Sequence, residues 1–208
     1  MLASGLLGLA IGVAQAATDL DMESAHTVNE GVLHFLEKPP AKPVHHHQNQ
    51  IRIDNSSLRS GWVKLSQCHE HLDPVPRAQI TFREGFVRNL KVTSSTRIKR
   101  AWVEGSSVQL VNVEPGARLC LSAQTRALKD MGNGYFTLCN GPYMRKFLDG
   151  YYPMRVSIRL EYPPDTLQIL DISPAEQKGF SVSHAPGRGS IDGFFEGELY
   201  TVVQFERR

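Results

Sequence analysis

The sequence predicts an all-β fold, an antiparallel β-sandwich that is immunoglobulin-like in the general sense. Three observations predict it. Apolar residues recur at a period of two in short runs, as in Trp62-Val-Lys-Leu-Ser-Gln-Cys68 and Ala78-Gln-Ile-Thr-Phe82. Turn signals such as Asp54-Asn55, Asp73-Pro74, Glu84-Gly85, Glu104-Gly105 and Glu114-Pro115-Gly116 separate those runs at a spacing of roughly ten residues, which suits a sandwich or barrel. Helical periodicity is nearly absent.

In chain order, Leu2 to Val13 is an apolar run followed by Ala14-Gln15-Ala16, the small-x-small pattern of a cleavage site. Residues 1–16 are therefore expected to be a signal peptide, and the mature protein to be soluble, exported and periplasmic or extracellular. The run is too short for a stable bilayer anchor, so no membrane span is expected after cleavage. Residues 17–50 read as an extended arm with a Pro/His-rich linker, because Lys38-Pro39-Pro40-Ala41-Lys42-Pro43 favours polyproline geometry.

Strand-like runs then follow at 51–53, 62–68, 78–82, 90–92, 98–103, 108–110 and 117–121. These place a first β unit over 51–139. Pro142 and Gly150 bracket a segment that fits a short helix near 142–149, with Pro at its start and Gly at its stop. Strands resume at 154–162, 167–170, 180–182 and 198–205, a second β unit over 140–208 that forms one domain with the first or a sandwich of its own. Pro76–Phe82 followed by Leu90-Lys-Val92 resembles Pro153–Ile158 followed by Leu167-Gln-Ile169, a hint of internal repetition.

Hydrophobic residues at 41% and charged residues at 21% are the proportions of a globular chain, not a disordered one. A net charge of +2 with scattered Lys and Arg lacks the dense basic field that a nucleic-acid partner requires, so none is expected.

The three cysteines, Cys68, Cys120 and Cys139, leave one over in an oxidising compartment. Cys68 and Cys120 both lie in strand-like runs, and a bridge across the sheets between them would contribute about 4 kcal/mol on the loop-entropy estimate. A Cys120–Cys139 bridge closes a shorter loop and would contribute about 3 kcal/mol. Spacing alone does not choose between them, although the first is the expectation.

Chemistry-bearing residues concentrate between His45 and Asp73, which hold five of the eight histidines. If the strand ending at Cys68 continues, His69 and His71 share a face and could chelate one ion. His45, His46 and His47 could add ligands from a loop, while Glu70 and Asp73 orient imidazoles through hydrogen bonds. Imidazole-rich sites suit Cu or Zn. The same residues, His69-Glu70-His71-Leu72-Asp73, resemble the H-x-H-x-D motif of metal-dependent amidohydrolases. That resemblance covers five residues. The alternating strands and helices of the barrel it implies are missing from the pattern, and only His184 follows His71.

No G-x-S-x-G elbow or phosphate-cradling glycine loop is present. Gly132-Asn133-Gly134 reads as a hairpin turn. A second cluster packs Tyr143, Arg145, Tyr151 and Tyr152 among other aromatics and bases, and it could present a surface to a sugar, a peptide or a protein partner. Trp62 and Trp102 are expected in the core. With no catalytic set legible, the sequence leaves two functional readings. One is a non-catalytic binding or assembly module with an unknown protein partner. The other is a Cu- or Zn-binding protein.

Overall fold

The structure, a computed structural model, describes residues 29–208. The signal-peptide reading of 1–16 and the start of the 17–50 arm lie outside the described residues. Strands make up 68% of the described residues and helix 2%, so the expected all-β, sandwich-like class is the observed one.

The arm supplies β1 (His34–Phe35) and β2 (His46–Arg52), so the histidine run opens a strand instead of lying in a loop. One helical turn, α1 (Ser57–Ser60), leads to β3 (Val63–Leu72) and β4 (Val75–Thr81). A long hairpin follows, β5 (Val87–Glu104) and β6 (Ser107–Thr125). Next come β7 (Leu128–Gly132), β8 (Tyr135–Tyr143), β9 (Lys146–Phe147) and β10 (Gly150–Tyr151). The chain closes with β11 (Met154–Glu161), β12 (Leu167–Ser173), β13 (Phe180–Ala185), β14 (Arg188–Glu196) and β15 (Leu199–Arg207).

One sheet has nine strands. Its path runs β1-β14-β11-β2-β3-β6-β4, with β13 also on β14 and β5 also on β6. Every ladder in it is antiparallel except β2–β11. A second sheet runs β12-β15-β8-β7. The two pack face to face: Phe136, Leu138, Val203 and Phe205 of the smaller sheet share one buried cluster with Ile51, Val156, Ile158 and Phe195 of the larger. Burial of each such side chain is worth about 1.5–3 kcal/mol. Residues 51–139 and 140–208 share both sheets, because β11 pairs with β2 and β15 pairs with β8.

The segments expected as separate strands at 90–92 and 98–103, and at 108–110 and 117–121, are single long strands. The Glu114-Pro115-Gly116 turn signal became part of a bulge. Gly116 at φ 75° and Arg97 at φ 56° oppose each other in the ribbon, and Arg97 Nη1 donates to the Pro115 carbonyl at 2.9 Å. The break between β3 and β4 falls at the same level, since Leu72 pairs with Ala117 and Val75 with Val113. Bulges increase bend and twist locally. A second apolar cluster, with Leu72, Val108, Leu110, Val113, Leu119 and Leu121, includes the residues on either side of this line.

The helix expected near 142–149 is absent. That stretch is the end of β8, a two-residue turn at Leu148-Asp149 and the β9–β10 pair. Gly150, at φ 140°, sits where a hairpin needs it, and Pro followed by Gly fits a turn as well as a helix. Leu148, which a helix would have buried, is fully exposed, whereas Met154 is in the core. The helix that does form is α1. Its entry is held by the Asp54 carboxylate, which accepts from the Ser56 and Ser57 amides at 2.9 and 3.1 Å. Hydrogen bonding from Ser56, with further help from Lys64 and the Ser57 amide, draws that carboxyl down to about 2.

Asn133-Gly134 forms the expected tight turn between β7 and β8, both residues at positive φ as a type I′ turn requires. The tryptophans are half-buried instead of central. Arg88 lies 4.3 Å over the Trp62 ring and Arg100 4.5 Å over Trp102, which covers each indole with a cation.

A polar island between the sheets

Strand alternation sends His45, His47, Asn49 and Ile51 to the inner face of the large sheet, and Val63, Leu65, Gln67 and His69 to the same face from β3. Read across the sheet, one row is Gly193, Val156, His47, His69, Leu119. The next is Ile191, Ile158, Asn49, Gln67, Leu121. Four polar side chains thus stand side by side in an otherwise apolar face, with Tyr143 of the other sheet against them.

The contacts are close. His45 Nε2 lies 2.9 Å from His69 Nδ1, so one of these rings donates to the other. The His47 and His69 ring centroids are 4.4 Å apart, and His47 meets the Tyr143 ring edge-on at 4.9 Å. Asn49 Nδ2 donates to the Tyr143 hydroxyl at 2.8 Å. His47 Nε2 faces both Asn49 Oδ1 at 3.1 Å and the side-chain amide of Gln67.

A neutral imidazole nitrogen is either donor or acceptor, so His47 Nε2 satisfies one of these neighbours at a time. Whichever way the Gln67 amide is turned, one of its heteroatoms has no partner, here Oε1. His69 Nε2 and Asn140 Nδ2 are likewise buried without a partner among the described residues. Such orphans are uncommon in folded proteins and call for an explanation.

Burial keeps these imidazoles neutral. It pushes His45 down to about 4, against an upward pull from Asp73, and His47 down to about 3, with the His45 ring adding to the effect. His69 is held well below the ordinary histidine range by the same desolvation, then by His47 and His45. Burial raises the Tyr143 phenol above its ordinary value.

The structure does not bring together all the residues singled out in sequence. His71 is exposed and lies at a bulge with φ 52°, so it does not share a face with His69. The expected i, i+2 pairing fails because the extra residue breaks the alternation.

His46 is on the outer face. It bonds to Ser157 Oγ at 2.7 Å and lies 3.9 Å from Glu70. Glu70 pairs with Arg118 at 3.2 Å, and Asp73 accepts two bonds from Arg145 at 2.9 and 2.6 Å. Neither carboxylate is hydrogen-bonded to an inner imidazole. Among the described residues, no group of three or more His, Cys, Asp or Glu side chains is arranged to hold a metal ion.

Cys68 and Cys120 are bridged, leaving Cys139 free and exposed. The bridge joins directly opposed residues of β3 and β6, so it lies within one sheet instead of crossing between two. The aromatic cluster does not form a common outward surface. Tyr143 and Tyr151 are buried, Tyr151 donating to Glu198 at 2.6 Å, while Arg145 is tied to Asp73. Tyr152 donates to Asp149.

The island adjoins a half-open cavity of about 990 Å³. His47, Asn49, Gln67, Asn140 and Tyr143 line it together with the apolar side chains of Leu58, Leu65, Phe82, Phe86, Leu128 and Phe136. Gly61 fixes one wall. At φ 75° it ends α1, and a Cβ there would stand 2.8 Å from the Leu128 carbonyl. Asn49, Gln67 and Asn140 were not singled out from sequence. The signal was available, since Asn49 and Gln67 are polar residues in phase with Ile51 and Leu65.

No family model matches the chain, and no curated protein matches it. Solved structures of the M1 zinc metallopeptidase from Deinococcus radiodurans show a partial likeness. A mutant bound to a Tyr-Ser-Ala substrate is 11% identical with a TM-score of 0.44, over 77% of this chain and 41% of that one. The enzyme without the mutation is 13% identical with a TM-score of 0.43, over 86% and 43%. The chain spans less than half the length of these proteins, and a likeness at this level says nothing about activity.

Proposed function

We propose that this protein is an exported, non-catalytic binding module whose ligand lies in the cavity between the two sheets. The observation that carries the reading is the polar island lining that cavity, with Gln67 Oε1 and Asn140 Nδ2 buried and unpartnered among apolar walls. Ligand sites are typically concave, mostly apolar and provided with a few convergent polar groups. Export is supported by the apolar leader with its A-x-A site and by the Cys68–Cys120 bridge, which persists in oxidising compartments.

An assembly role through an open sheet edge is the weaker form of this reading. The long edge strand β5 carries three register shifts and Arg88, Lys91, Arg97, Lys99 and Arg100, features that discourage strand addition.

Cys139 provides the test, because it is the free thiol and it lines the cavity. A library of small organic molecules is screened for compounds that slow its alkylation and raise the melting temperature together. Compounds that do both are expected. If none does, the cavity is not a ligand site.

Copper or zinc binding is the second reading, favoured by the clustering of the neutral His45, His47 and His69 rings, in which an ion would have to replace the His45–His69 hydrogen bond. Titration of tagless protein with copper and zinc tests it. Stoichiometric binding that His69→Ala abolishes would support it, and binding indifferent to that change would remove it.

A further inference from the structure

The cavity carries information about charge as well as shape. Arg59 on α1, Arg83 before β5, Arg126 before β7, Lys129 on β7 and Arg207 on β15 line it, and all five are exposed. Four separate segments therefore deliver five bases to one opening. Asp130 is the one carboxylate among the described residues that line it. The chain as a whole carries only +2, so this opening concentrates positive charge that is balanced elsewhere.

The bases are also uncommitted. Arg52, Lys64, Arg118, Arg145, Arg155 and Lys178 each have a carboxylate within 4 Å, whereas none of the five cavity bases does among the described residues. Two of them lie along the aromatic wall instead. The Arg83 guanidinium is 4.0 Å over the Phe86 ring, and that of Arg207 is 5.5 Å over Phe136. A cation resting on an aromatic face keeps its outer donors available to an anion, and a mouth of like charges draws an anion in.

We infer that the cavity takes a small amphipathic acid, with its carboxylate among the basic residues at the mouth and its apolar body between the two sheets. The inference rests on the cavity being the ligand site. A volume of about 990 Å³ is at the upper end for small-molecule pockets and accommodates an alkyl or aryl body. Leu58, Leu65, Phe82, Leu128 and Phe136 would cover that body, while Arg83 and Arg126 give the carboxylate two forked donors.

Calorimetric titration with three ten-carbon probes below their micelle concentrations tests this. Decanoate is expected to bind saturably at one per chain, decanol at least about tenfold more weakly, and decyltrimethylammonium not at all, since one ion pair of ordinary strength is worth about a factor of ten. Raising the salt concentration should weaken decanoate and leave decanol unchanged. The double variant Arg83→Gln/Arg126→Gln replaces exposed side chains, so it should fold. It should bring decanoate affinity down to that of decanol without moving decanol.

Equal binding of decanoate and decanol, or an unchanged decanoate affinity in the double variant, overturns the anion inference while the cavity remains a ligand site. Preference for the ammonium probe overturns it too. Failure of all three probes to bind saturably or to protect Cys139 overturns the inference and the cavity reading together.

Discussion

His47 and His69 stand directly opposite each other on antiparallel strands, their ring centroids 4.4 Å apart, while His46 and Glu70, one residue away on each strand, form the next pair on the opposite face. One step along the chain thus separates a buried imidazole pair from a partly exposed pair on the other face, where burial holds the His46 imidazole below its ordinary value beside the Glu70 carboxylate.

Stability should fall with acid across a defined window. The folded-state values of His45 and His47 are about 4 and about 3, below the ordinary 6.5. The unfolded chain therefore binds more protons between those values, and protonation favours unfolding. The stabilising contribution is fully present above pH 6.5 and is lost progressively as the pH falls toward 4 and then 3. Urea midpoints measured from pH 7.5 to 4 should drop, and His45→Gln/His47→Gln should flatten the profile over that window. A profile equally steep in the double variant would assign the acid sensitivity elsewhere.

The cysteine arrangement makes a countable prediction. Under denaturing conditions one thiol per chain should react before reduction and three afterwards, because Cys139 is the free one. Replacing Cys68 and Cys120 by serine should lower the unfolding free energy by about 4 kcal/mol, given a separation of 52 residues.

Tyr143→Phe removes the acceptor for Asn49 Nδ2 and leaves a buried donor without a partner. A loss of about 1–3 kcal/mol in chemical denaturation is expected. Tyr135→Phe is the control, since Tyr135 is exposed and the change should cost less than about 0.5 kcal/mol.

Arg145 grips Asp73 with two bonds at 2.9 and 2.6 Å, tying the β3–β4 turn to the β9 region. Both side chains are mostly covered, at 20% and 27% exposure. A double-mutant cycle with Arg145→Met and Asp73→Asn should give a coupling of about 1–2 kcal/mol, above that of exposed pairs. The Lys178–Glu37 pair, exposed on both sides, should give nearly zero in the same experiment.

The fold class was legible because period-two patterning is a local property, and each run of alternating residues near Leu65 or Val156 records which face it buries. Strand continuity was less legible. Glu114-Pro115-Gly116 reads as a turn in isolation and becomes a bulge only because Arg97 opposes it across the ribbon. The error at 142–149 has the same origin: Pro142 and Gly150 permit either a helix or a hairpin, and the tie from Arg145 to Asp73 is a long-range contact that no window of sequence contains. In the site, the histidine-rich stretch pointed to the right strands, but the bulge at His71 changed which imidazoles met. The basic mouth was not legible at all, since Arg59 and Arg207 are far apart in the chain and only the folded topology makes them neighbours.

The parallel ladder between β2 and β11 has a consequence for how the molecule forms. It brings together His46 and Ser157, which are 111 residues apart in the chain, and the imidazole row is completed only once β2 has inserted between β3 and β11. Pairings of such separation carry a large loop-closure cost before any contact rewards them, which places domains of this kind among the slower folders, in the millisecond-to-second range. The central strand of the site should therefore be among the last to dock, so that burial of Tyr143, which His47 and Asn49 of β2 contact, should be completed later than the closure of the β5–β6 hairpin.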